Sequence, residues 1–139
     1  MKNLKKYSYT LLLLIISFLS QLSAEMMDFE INYLNVSVAK VNFTLNEQQL
    51  RIKAVSTRIT TFLADTIDNT YTVNYRDLFI PVTYSKNINQ KKFKENSVTS
   101  YQADTAIYKN YIKNDQFQYH INENSREIFT SLFYLRYQD

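Results

Sequence analysis

The chain has no glycine, and that single absence rules out more folds and chemistries than any other feature of its sequence. Phosphate-cradling P-loops and Rossmann turns need backbone positions that only glycine fits, and the EF-hand calcium loop needs one at its sharp turn. A nucleophile elbow of the G-x-S-x-G kind falls with them. Cysteine is absent too, which removes zinc fingers, iron–sulfur clusters, thiol redox chemistry and disulfide staples. No metal or cofactor is expected. Left-handed turn positions still have to be filled, and the fourteen asparagines are the natural candidates.

The formal charge of +3 suggests an anionic partner until the charges are located. Lys2, Lys5 and Lys6 account for three of the sixteen basic residues, and no acid precedes Glu25. Residues 25–139 carry thirteen groups of each sign, so nucleic acid is a poor partner for them. A lysine-bearing start, an apolar run from Leu11 to Leu19 broken only by Ser17, and a polar stretch ending in Ala24 read as a secretory signal peptide over residues 1–24. The competing reading is an uncleaved anchor, since Tyr7 to Ala24 is uncharged, but the apolar stretch is short of the roughly 20 residues that span a bilayer. Export is therefore expected: to the periplasm in a Gram-negative host, otherwise secreted or envelope-associated. Membrane contact would come only through an uncleaved signal or peripherally.

Residues 25–139 suffice for one core, and their periodicity is mainly that of strands. Phe29, Ile31 and Tyr33 alternate with Glu30 and Asn32, and Ala39, Val41, Phe43 and Leu45 alternate with Lys40, Asn42 and Thr44. These are two strands, or one long strand with a bulge near Asn35. Asn46 to Gln49 reads as a hairpin loop before a strand from Leu50 to Ser56, and a helical turn or two fits between Thr57 and Ala64. Ile67, Tyr71, Val73 and Tyr75 then share one face, with Asp68, Thr70, Thr72 and Asn74 on the other. Arg76-Asp77 turns the chain into Ile80 to Ile88, where Pro81 demands an edge or a bulge. Strands over 92–101, 106–112 and 116–121 follow at meander spacing. The tail changes period: Asn124 or Ser125 can cap a helix pairing Ile128 with Leu132 and Phe129 with Phe133. The expected fold is mainly β, a curved antiparallel half-barrel packed on a C-terminal helix.

Tyr33 to Phe43, Asp68-Asn69-Thr70-Tyr71 with Leu78, Pro81 and Tyr84, and Glu127, Thr130 and Leu132-Phe133-Tyr134-Leu135-Arg136 carry a resemblance. In these landmarks the chain resembles the exported bacterial domain-of-unknown-function family 3108 over most of residues 29–137. The resemblance implies a half-barrel similar to that of the LolA and LolB lipoprotein carriers, and no assigned activity. Asn35 and Ala39 stand where that family usually has glycine, and Glu127 and Thr130 replace a usual Asp and Ser before the helix, which keeps the chemistry of its cap. Its members usually continue for several strands beyond the Leu-Arg helix, so the resemblance implies either a naturally short version of the domain or a fragment of it.

Candidates for chemistry are few. His120, the one imidazole, alternates with Phe117, Tyr119 and Ile121, which places it on the solvent face as a surface residue and not a general base. Asp65 and Asp68 resemble a carboxylate pair but are more simply read as flanking a strand start. Lys86, Lys91, Lys92 and Lys94 form a basic hairpin that suits lipid headgroups or an acidic partner, or that merely guards an edge from aggregation. Twelve tyrosines and nine phenylalanines remain to be explained. Tyr33, Phe43, Tyr71, Tyr75, Tyr84 and Tyr119 look inward, as a core or as the lining of a ligand cavity. Two functions follow: a non-enzymatic envelope module holding a lipid or acylated protein, or an assembly protein offering a sheet edge or helix face to an envelope partner.

Overall fold

The computed structural model describes residues 24–63 and 66–138, so the expected signal segment up to residue 23 lies outside it. Eight strands follow one another: β1 (Glu25–Tyr33), β2 (Val36–Leu45), β3 (Gln49–Ser56), β4 (Ile67–Arg76), β5 (Ile80–Gln90), β6 (Lys94–Gln102), β7 (Thr105–Asn110) and β8 (Asp115–His120). A short helix, α1 (Arg58–Leu63), separates β3 from β4, and α2 (Ile128–Arg136) closes the described chain. Each strand pairs antiparallel with the next, and the sheet is open, without a β1–β8 pair. The expected fold is thus the observed one: a curved antiparallel meander with its C-terminal helix laid across one face.

The period of two holds across the whole sheet. One transverse row runs Glu25, Leu45, Leu50, Val73, Tyr84, Thr99, Tyr108, Phe117, and its neighbour runs Met27, Phe43, Ile52, Tyr71, Lys86, Ser97, Asn110, Asp115. Both rows lie on the inner face, and beyond β4 the second turns polar while the first passes Thr99 before ending on Tyr108 and Phe117. The core accordingly sits over the first half of the sheet, where Leu45, Leu50, Ile52, Val73 and Tyr75 are buried with Phe133. The outer face carries Thr44, Arg51, Thr72, Ser85 and Lys109 in the matching positions and stays in water.

Connections show how a glycine-free chain turns. Positive φ falls on Leu34, Asn35, Leu78, Phe79, Ala103 and Asn114, so asparagine takes only part of the duty expected of it. Leu34 and Asn35 make a two-residue hairpin turn, which decides for two strands there; the register slip lies instead between Ile31 and Asn32. Pro81 stands at a second slip, opposite Tyr75, in an interior strand: a bulge, as one of its two expected settings. The α2 cap is Glu127 and not Asn124 or Ser125, because its carboxylate takes the N–H groups of both Phe129 and Thr130.

Candidate functional site

Of the aromatic residues expected to line a cavity, four come together and two do not. Phe43, Tyr71, Tyr75 and Tyr84 gather on the inner face, but α2 drives two rings into them. Phe129 sits 6.5 Å from Phe43, 5.6 Å from Tyr71 and 6.3 Å from Tyr84, and Phe133 lies 6.2 Å from both Phe43 and Phe79. Phe79 in turn packs on Tyr75 at 4.9 Å and stacks on Tyr137 at 5.7 Å. This part of the face is packed. Burial, reinforced by the Glu127 carboxylate, pushes the Tyr84 phenol up, so it stays neutral. Tyr33 is 69% exposed beside the β1–β2 turn, and Tyr119 stands on β8, at the opposite edge of the sheet.

What the helix leaves uncovered is a groove of about 240 Å³ along its β1 side, lined by Met27, Phe29, Phe43, Leu132, Phe133 and Arg136. Strand alternation supplies Met27 and Phe29 from β1 and Phe43 from β2, while α2 adds Leu132 and Arg136, four apart on one face, with Phe133 beside them. Phe29 meets Phe43 edge to face at 5.5 Å, which fixes the floor. Both flanks of the groove stay apolar beyond it: Phe29 and Ile31 on β1, and Ile128, Leu132 and Leu135 on α2, are each more than half exposed. The one charged lining residue is Arg136.

Arg136 does not stand alone. Its guanidinium reaches the Glu25 carboxylate at 2.5 Å, and the Tyr137 hydroxyl donates to the other Glu25 oxygen. The Tyr137 hydrogen bond is the main cause that draws the Glu25 carboxyl below its ordinary range, with Arg136 adding to it against some desolvation. The first strand and the last helix are therefore clasped at one end of the groove. A larger cleft, about 720 Å³ at the β4–β5 corner, is lined by Glu47, Gln48, Arg76 and Asp77 beside Leu78 and Phe79, and is far more polar.

The lysine hairpin lies elsewhere. Lys91 and Lys92 occupy the β5–β6 turn and Lys94 starts β6, with β2, β3 and β4 between this hairpin and β1. Lys86 points to the inner face, 3.8 Å from Glu95 and over the Tyr84 ring. Glu95 there gathers Ser97 and Tyr108 as donors, and Asn110 donates to the Tyr108 hydroxyl. This cluster ties β5, β6 and β7 together. His120 is exposed, as its alternation indicates, opposite Thr105 on β7 and with its Nδ1 3.8 Å from the Asp104 carboxylate. Asp68 lies exposed on the outer face opposite Val55 and Asn89, and Asp65 is outside the described residues.

Sequence reasoning found the helix, Phe43 and the β1 pattern, but not Arg136 or Glu25. A cation at a helix C-terminus was visible as a favourable dipole partner. Its meeting with a residue more than a hundred positions earlier was not. Among the described residues no helix is long and apolar enough to cross a membrane, and no three His, Asp or Glu side chains gather as metal ligands would. In comparisons with known proteins, no family model, no curated protein and no solved structure matches this chain.

Proposed function

We propose that this is an exported, non-enzymatic cell-envelope protein that binds the acyl portion of a lipid or acylated protein in the groove between β1 and α2. The observation that carries this reading is the groove itself, apolar along its floor, charged at one end only, and continued by exposed apolar side chains. At about 240 Å³ it falls below the ~300–1,000 Å³ typical of small-molecule pockets, which suits one chain and not a whole lipid. The signal-like first 24 residues support export. His120 stands away from the groove on the far strand, in keeping with binding and not catalysis.

A native mass spectrum of the protein recovered from the envelope of its host tests this. A lipid-sized adduct that organic extraction removes is the expected result; a bare protein mass would count against it. The second reading, an assembly protein, is favoured by the packing of Phe129 and Phe133 over the aromatic face and by the outer edge of β1, which pairs with no strand among the described residues. It predicts instead co-purification of a stoichiometric envelope protein without lipid.

A further inference from the structure

Resting on the acyl-binding reading, we infer that the groove takes a single-chain amphiphile with an anionic head, a long-chain fatty carboxylate, and that the Glu25 carboxylate occupies the head position in the unliganded protein. Charge complementarity carries the argument. Among the groove's lining residues Arg136 alone is charged, and it lies at the end marked by Met27 and Glu25, while Phe29 and Leu132 continue the apolar flanks away from it. A ligand fitting this pattern has one negative group at one end and a hydrocarbon chain leading from it. A phosphate diester with two chains would need a second apolar channel, which the lining does not provide.

Arg136 already holds a carboxylate. Glu25 takes its guanidinium at 2.5 Å and the Tyr137 hydroxyl on its second oxygen, so both oxygens of a carboxylate are recognised by one cation and one hydroxyl. A fatty carboxylate is chemically the same group. The Glu25 and Arg136 side chains are 33% and 48% exposed, so exchange needs no unfolding: the Glu25 side chain swings into water and the ligand head replaces it on Arg136 and Tyr137. Glu25 is then an internal competitor, and its removal strengthens binding where a merely structural ion pair would not.

The test is calorimetric titration of the full chain with dodecanoate, dodecyltrimethylammonium and dodecyl maltoside, each below its micelle concentration. Dodecanoate is expected to bind roughly tenfold or more tightly than the cationic amphiphile, as one charge-assisted contact allows. Glu25→Gln should tighten dodecanoate binding by several-fold, about the same order as that contact, and leave the maltoside unchanged. Arg136→Gln should erase the preference, with a thermal melt confirming that it folds; should it not fold, the Glu25→Gln result decides alone. Equal affinity for all three heads, or weaker dodecanoate binding by Glu25→Gln, overturns the inference and leaves the acyl-binding reading standing. Binding of none of them overturns both.

Discussion

At the scale of single residues, the absence of glycine leaves a trace that can be measured. Ala103 holds φ at 45° in the β6–β7 turn, a left-handed conformation that crowds Cβ against the following carbonyl. Replacing it with glycine removes that contact at some cost in chain entropy. Ala103→Gly should therefore stabilise the fold by roughly 0.5–1 kcal/mol, read as a higher urea midpoint at unchanged slope. A lower midpoint would show that the turn holds no such strain. Glu25 gives a second prediction at this scale. Its carboxyl titrates below the ordinary value because Tyr137 and Arg136 favour the ionised form. The unfolded state thus binds the proton first, so the clasp stabilises fully above the ordinary glutamate range near about 4.3. That stability is lost as pH falls through the depressed native value. The difference in urea midpoint between wild type and Glu25→Gln should be largest at neutral pH and close toward acid. A difference independent of pH would mean that the carboxylate charge contributes nothing.

At the scale of elements, α2 is the piece on which the site depends. Its start rests on Glu127, whose carboxylate answers two N–H groups that no carbonyl of the helix can reach. Glu127→Ala should cost about 1 kcal/mol. Phe133 is buried among Leu45, Leu50, Ile52, Val73 and Tyr75, so Phe133→Ala should cost about 3–5 kcal/mol. Both are read by denaturant unfolding, and the pair tests whether the helix is held by its face or by its cap. Near-equal effects would contradict the burial of Phe133 in the core. The helix was legible in sequence because the pairs Ile128 with Leu132 and Phe129 with Phe133 have helical spacing. The strands were legible because Asp68 to Asn74 alternate so cleanly with Ile67 to Tyr75. Residue preference alone points to Asn124 or Ser125 for the cap, since glutamate is an uncommon capping residue, whereas the resemblance points to Glu127. The groove was not legible. Periodicity tells which residues face inward, and does not tell which inward rings a helix will cover and which it will leave bare.

At the scale of the whole molecule, the sheet has two unequal halves. From β1 to β5 the inner face is mainly apolar and roofed by α2, and the buried Leu45, Leu50 and Val73 lie there with most of the inward rings. From β5 to β8 the same face is built on Lys86, Glu95, Ser97, Tyr108 and Asn110, joined to one another by hydrogen bonds and an ion pair. Phe117 and Tyr119 close that half and remain 59% and 46% exposed. Hydrogen bonding of this kind fixes register between strands, but its net contribution per bond is only about 1 kcal/mol, against roughly 1.5–3 kcal/mol for a fully buried apolar side chain. Stability should grade along the sheet accordingly, since local opening follows burial. Native-state hydrogen exchange is expected to place the slowest amides in β3 and β4, where Leu50 and Val73 are fully buried, and the fastest strand amides in β8. The β1 amides facing β2 should exchange more slowly than those of β8, although both are edge strands, because Arg136 and Tyr137 pin Glu25 from the helix. Glu25→Gln should then speed exchange in β1 and leave β8 as it was. Uniform protection across the eight strands would show a single cooperative unit. In that case the polar half, down to its exposed last strand, would draw its order from the roofed half through the continuous ladder from Leu45 to Phe117.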